Sequence, residues 1–148
     1  MTNAKILQLS NSAIGAVATD VNLPLGVTAA IYPFDTNNCY PTYTIISSTS
    51  DTLSINKSGT YKIVYSLSGI AGAAGEVTVA LVTNGSSVYS VTQTIVDEAN
   101  AVNLTLVYTI RVSPTCGSAP ENVPVAVQLQ NTGIALTGET ANLIIEKI

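Results

Sequence analysis

A chain of 148 residues, 47% hydrophobic and only 9% charged, is long enough for one buried core but holds too little charge to wet an ordinary monomer surface, since typical domains carry about 25% charge. Its net charge is −4, and its five basic residues, Lys5, Lys57, Lys62, Arg111 and Lys147, are scattered, so no stripe exists to displace counterions from phosphates and nucleic acid is excluded as a partner. With no histidine in the chain, the commonest general base, the Ser-His and Cys-His nucleophile pairs and the commonest transition-metal ligand are all missing.

Taken in chain order, residues 1–38 are the least regular part. Lys5 is followed by Ile6-Leu7-Gln8-Leu9 and then Ser10-Asn11-Ser12, an apolar stretch too short and interrupted for a secretory signal. Ile6 to Leu9 and Val27 to Tyr32 are candidate strands, separated by Asn22-Leu23-Pro24-Leu25-Gly26. They read as a mixture of first sandwich strands and an attachment arm, which sets the expected division at 1–38 for this segment and 39–148 for the main domain. Tyr32, Tyr40 and Tyr43 cluster near Pro33 and Pro41 and are the candidate platform for a glycan. Cys39 and Cys116 each lie in a polar, Pro-containing segment. A disulfide between them would stabilise by up to about 4 kcal/mol on the chain-entropy model, whereas cytosolic synthesis would keep both reduced.

From residue 43 onward, apolar residues alternate with a period of two and nowhere follow helical spacing, which predicts an all-β chain. Thr42 to Ser48 and Thr52 to Asn56 are short strand candidates. Gly59 marks a turn, after which Tyr61, Ile63, Tyr65 and Leu67 share one face and Lys62, Ser66 and Ser68 the other, the pattern of a half-buried strand. The stretch from Gly69 to Gly75 is rich in small residues and reads either as a flexible connection or as a tight-packing turn at an oligomer axis. Val77, Val79 and Leu81 point inward on the next strand, and Asn84-Gly85 is a strong hairpin signal because both residues tolerate positive φ; Ser87 to Ile95 forms the return.

Asp97 to Asn100 makes a polar corner, and Leu104, Leu106, Tyr108, Ile110 and Val112 alternate with Thr105, Val107, Thr109 and Arg111 beyond it. Ser113 to Pro120 reads as a loop, Val123 to Leu129 as a strand, and Asn131-Thr132-Gly133 and Thr137-Gly138-Glu139 as punctuation before the last strand. That strand is still apolar at Leu143, Ile144, Ile145 and Ile148, so either this domain or another copy is expected to cover it. No apolar run approaches the roughly 20 residues of a membrane-spanning helix, and no membrane partner is expected. The carboxylates Asp51, Glu76, Asp97, Glu98, Glu121 and Glu139 read as solvated turn and loop residues, and there is no Asp-x-Asp-x-Asp calcium loop. Neither a catalytic residue nor a cofactor or metal site is expected.

Eight to ten strands with a turn signal every 8 to 12 residues describe a sandwich or jelly roll. In order, Gly59-Thr60-Tyr61-Lys62-Ile63-Val64-Tyr65, Val79-Ala80-Leu81-Val82-Thr83-Asn84-Gly85, Val102-Asn103-Leu104-Thr105, Gln130-Asn131-Thr132-Gly133 and Ala141-Asn142-Leu143-Ile144-Ile145 resemble the C1q/tumour-necrosis-factor jelly roll over residues 43–148. The versions it resembles are those of bacterial spore-surface glycoproteins and of structural proteins of phages of Gram-positive bacteria. The resemblance implies a homotrimer of about ten-stranded jelly rolls, with the terminal strand in the sheet that faces the three-fold axis and Tyr61, Tyr65, Leu143 and Ile145 as candidate oligomer contacts. Because the chain lacks a collagen-like Gly-X-Y stalk and a signal peptide, the expectation is a virion component made in the host cytoplasm. It would decorate a capsid or form a head fibre, with itself and capsid or other virion proteins as partners. The rival readings are a receptor-binding module of a phage tail or baseplate that recognises cell-surface saccharide, and a spore-surface protein.

Overall fold

A computed structural model describes residues 6–32, 46–48, 51–55, 59–97, 100–112 and 125–148, and within them the period-two pattern becomes twelve strands. These are β1 (Ile6–Asn11), β2 (Gly15–Val17), β3 (Val21–Asn22), β4 (Val27–Tyr32), β5 (Ile46–Ser48), β6 (Leu53–Ile55), β7 (Gly59–Ala71), β8 (Gly75–Thr83), β9 (Ser86–Ile95), β10 (Ala101–Val112), β11 (Val125–Asn131) and β12 (Leu136–Lys147). They pair antiparallel in two sheets. The first runs β10-β7-β12-β1-β4 with β2 added to β12, and the second runs β5-β6-β11-β8-β9 with β3 added to β11. Consecutive strands repeatedly change sheet, as from β7 to β8 and from β11 to β12, and this winding makes the sandwich a jelly roll.

The core lies between the sheets because alternate side chains of each strand point there. Tyr61, Ile63, Tyr65 and Leu67 of β7 meet Val77, Val79 and Leu81 of β8, Leu104 and Leu106 of β10, Val127 and Leu129 of β11, and Leu143 and Ile145 of β12 in one buried cluster. The apolar terminal strand is covered at both edges within the chain: β12 pairs with β7 on one side and β1 on the other. The predicted hairpin is present, with Asn84 at φ 49° and Gly85 at φ 83° joining β8 to β9.

Four sequence readings are corrected. Residues 6–32 contribute strands to both sheets and bury Leu9, Val17, Leu23 and Leu25, so over this range the proposed boundary at residue 38 does not separate an arm from the sandwich. The small-residue stretch is mostly strand: β7 continues to Ala71 and the turn is confined to residues 72–74. Gly69 is needed there because a Cβ would overlap the carbonyl oxygen of Thr137 on β12. Gly59 is the first residue of β7 rather than a turn before it. Thr137-Gly138-Glu139 does not precede the last strand but lies inside it. The ladder shifts by a bulge between Gly138 and Thr140, where a Cβ on Gly138 would come within 2.6 Å of Ile14 Cγ2.

Asn131 is the buried polar residue among the described ones, at 0% exposure. Its Nδ2 donates to the carbonyls of Val17 (3.4 Å), Ala18 (3.3 Å) and Ile134 (3.0 Å), while Oδ1 accepts from Gly133 N (3.1 Å). One carboxamide thus satisfies the main chain where β2 leaves the first sheet and where β11 turns toward β12, as a buried polar group requires.

Candidate functional site

The strand register orders the outer face of the first sheet into rows. Nearest one end, Arg111 lies beside Thr60, and Thr109, Lys62 and Glu146 form the next row. Val107, Val64 and Ile144 then make an apolar row that Gln8 completes. Two uncharged polar rows follow, Thr105, Ser66, Asn142 and Ser10, then Asn103, Ser68 and Thr140; Ala101, Ile70 and Thr137 close the series. From the Val107 row to the Thr140 row no paired residue is ionisable, and the exposed Glu139 lies beyond them at the bulge between Thr140 and Gly138. Val107 and Ile70 are 49% and 47% exposed, while Val64 and Ile144 are half-buried.

A hollow of about 150 Å³ opens in the two polar rows, where Leu67 and Leu104 line it together with Ser66, Ser68, Asn103, Thr105, Thr140 and Asn142. Part of its lining is already paired: Asn142 Oδ1 accepts from Ser10 Oγ and, at 3.4 Å, from Gln8 Nε2, and the hydroxyls of Ser68 and Thr140 share a hydrogen bond. With four hydroxyls, two carboxamides and no charge, the hollow offers neutral donors and acceptors and no group able to take a proton at neutral pH.

The second sheet presents a different outer face. Ala80 and Val82 point outward yet are 2% and 8% exposed, with Gln130 and Gln128 as their partners on β11. Gln128 Nε2 donates to Thr52 Oγ1 (2.9 Å) and Gln130 Nε2 to the Asp20 carbonyl (3.2 Å). This face spends its long polar side chains on its own chain, whereas the first sheet leaves an apolar row bare. At the β9/β10 side, where both sheets end, the rings of Tyr89 and Tyr108 stack with centroids 5.2 Å apart and planes 18° from parallel. Four residues along, the Gln93 carboxamide donates to the Ala101 carbonyl (3.1 Å) and accepts from Asn103 N (2.8 Å), occupying the free edge of β10 as a strand would.

The four candidate oligomer contacts are not on any surface. Tyr61 and Ile63 are fully buried, and Tyr65, Leu143 and Ile145 are each 1% exposed within the single chain, so Tyr61, Tyr65, Leu143 and Ile145 are core residues. The physical reason is the pleat: on β7 and β12 these side chains are the set that points at the second sheet, one position out of phase with the set on the outer face. Tyr65 carries one further anomaly. Its hydroxyl has no hydrogen-bond partner among the described residues, and burial pushes its ionisation well above the ordinary phenol range. Cys39, Cys116, Tyr40 and Tyr43 lie outside the described residues; Tyr32 ends β4, and its side chain lies outside them too. Among the described residues no three Cys, Asp or Glu side chains converge as metal ligands would, and no helix is long and apolar enough to cross a membrane.

No protein-family model matches the chain, and no curated protein does. Solved structures do. The chain is similar to PRD1 vertex protein P5, with 17% identity and a TM-score of 0.59 over 100% of this chain and 99% of that one. It is similar to Eiger TNF from S. frugiperda, with 9% identity and a TM-score of 0.65 over 99% and 94%. The globular domain of zebrafish complement 1qA protein matches at 7% identity with a TM-score of 0.60 over 98% and 96%. The fold is therefore the C1q/TNF-like jelly roll, now established over the whole length rather than from residue 43.

Proposed function

We propose that this protein is a non-enzymatic structural component of a virion, self-associating through the outer face of its first sheet into a homotrimer that decorates a capsid or forms a head fibre. The observation that carries the reading is the apolar row Val107, Val64 and Ile144 on the outer face, with two uncharged polar rows on one side of it and the Lys62 and Glu146 row on the other. Burying the apolar row together with the uncharged rows beside it removes apolar area from water without stranding an ionised group. Three copies is the number that the jelly-roll resemblance implies. The full-length likeness to a vertex protein supports a place in a virion, and the missing histidine supports a structural role over a catalytic one.

Sedimentation of the purified chain tests the assembly step: a trimer at micromolar concentration is expected, and a monomer there overturns the reading. Incubation with capsids lacking this protein tests the second step, with saturable binding expected. A second reading, recognition of a neutral saccharide, rests on the hydroxyl- and carboxamide-lined hollow. The two compete for one surface, because association through this face would bury the hollow. Saccharide binding on a glycan array that Asn103→Ala abolishes would favour the adhesin.

A further inference from the structure

Tyr89 and Tyr108 come from different sheets, β9 and β10, yet their rings lie in stacked contact at 5.2 Å, with Tyr89 42% exposed and Tyr108 half-buried. Two phenols at this separation, one of them open to solvent, are placed for oxidative coupling. We propose that the pair is a crosslinking site, at which a one-electron oxidant of the haem-peroxidase class joins the two side chains as dityrosine and staples the sheets together at the β9/β10 side. This goes beyond the structural role proposed above and does not depend on it.

The reaction balances within the pair. Each phenol gives one electron to the oxidant and releases its hydroxyl proton, which leaves two tyrosyl radicals. Their Cε carbons join in a single new bond, and the hydrogens on those carbons then move to the two oxygens, restoring both phenols. The net change is the loss of two protons and two electrons, the electrons passing to two oxidising equivalents supplied by peroxide through the peroxidase.

Three features of the chain direct the coupling here. Gln93, four residues from Tyr89, holds β9 on β10 through two hydrogen bonds to its main chain, so the rings are kept adjacent instead of drifting apart. Tyr61 and Tyr65, at 0% and 1% exposure, are shielded from an oxidant. The chain contains no tryptophan to compete as an electron donor.

The test treats the full-length protein with peroxidase and hydrogen peroxide at low protein concentration, followed by reduction. Cleavage after Glu76, Glu98 and Glu121 places Tyr89 and Tyr108 on separate peptides. The expected product is a chain of unchanged length, lighter by two hydrogens and carrying dityrosine fluorescence, in which those two peptides are joined. Tyr89→Phe and Tyr108→Phe, each of which keeps the stacked ring, should each abolish it. Dityrosine confined to bonds between chains, or joining other tyrosines, overturns the proposal, as does its absence from the unsubstituted protein. Mapping the unsubstituted chain decides the matter even if a variant fails to fold.

Discussion

Val64 of β7 lies directly across from Ile144 of β12 on the outside of the first sheet, while their chain neighbours Tyr65 and Leu143 lie across from each other on the inside. One position in phase separates a core pair from a surface pair, so the two should answer to substitution in different ways. Leu143→Ala removes buried side-chain volume and should cost about 2–5 kcal/mol of folding stability. Ile144→Asp should leave the monomer folded and abolish self-association, because it sets an unpaired carboxylate in the apolar row. Urea denaturation and sedimentation of both variants separate these outcomes. An Ile144→Asp protein that sediments like the parent would move the contact off this face.

Tyr65→Phe should stabilise the protein by about 1 kcal/mol, since a hydroxyl buried with no partner costs about 1–3 kcal/mol and the ring itself is retained. The effect should grow with pH. In the folded chain burial raises the ionisation of Tyr65, whereas the unfolded phenol ionises near the ordinary value of about 10. The stabilising contribution of keeping Tyr65 neutral is therefore complete below about pH 10 and is lost as the pH climbs toward the raised folded value. Urea midpoints of the parent and Tyr65→Phe measured from neutral to strongly alkaline pH should diverge above that point, with the phenylalanine variant ahead.

Deleting residues 1–30 should unfold the protein instead of releasing a tether. The deletion removes β1 from its place between β12 and β4 and takes Leu9, Ile14, Val17, Leu23 and Leu25 out of the core. It also bares the edge of β12, which carries Leu143 and Ile145 on one face and Ile144 on the other. The expected result is an insoluble or aggregating product. A soluble truncated chain with unchanged circular dichroism would show that these strands are dispensable.

Period-two alternation makes the long strands β7, β10 and β12 legible, because each buries one face over many residues, whereas β9 is exposed along most of its length and is legible as the return of a hairpin. Asn84-Gly85 was legible for a local reason, the positive φ that both residues adopt. What the pattern cannot show is which face of a strand meets the second sheet. The resemblance makes Tyr61 and Tyr65 candidate oligomer contacts, yet both are buried in the core: alternation separates the faces but does not label them, and large aromatic side chains suit a core and an interface equally. The strands β2 and β3, of three and two residues, are too short to alternate at all and are held by pairing to β12 and β11. The extent of β7 and β12 was hidden by Gly69 and Gly138, whose role is to admit a neighbouring chain segment rather than to end a strand.

Asn131 looked in the sequence like turn punctuation, yet it predicts the sharpest single-residue effect outside the apolar core. Asn131→Ala would strand the carbonyls of Val17, Ala18 and Ile134 together with the N–H of Gly133, and should cost at least about 1–3 kcal/mol even if water reaches some of them. Asn131→Asp is the more informative change, since it keeps the shape and the acceptor for Gly133 but replaces the donor nitrogen with a second oxygen facing three carbonyls. At 0% exposure that carboxylate is both desolvated and repelled, so its folded pKa should rise above the unfolded value of about 3.9. The sign follows from linkage: stability is retained below the unfolded pKa and lost as the pH rises through the folded one. Relative to the parent at each pH, Asn131→Asp should be least impaired under acid conditions and most impaired at neutral pH, measured as the gap between thermal midpoints. A gap that stays constant across that range would mean the side chain is not held among those carbonyls.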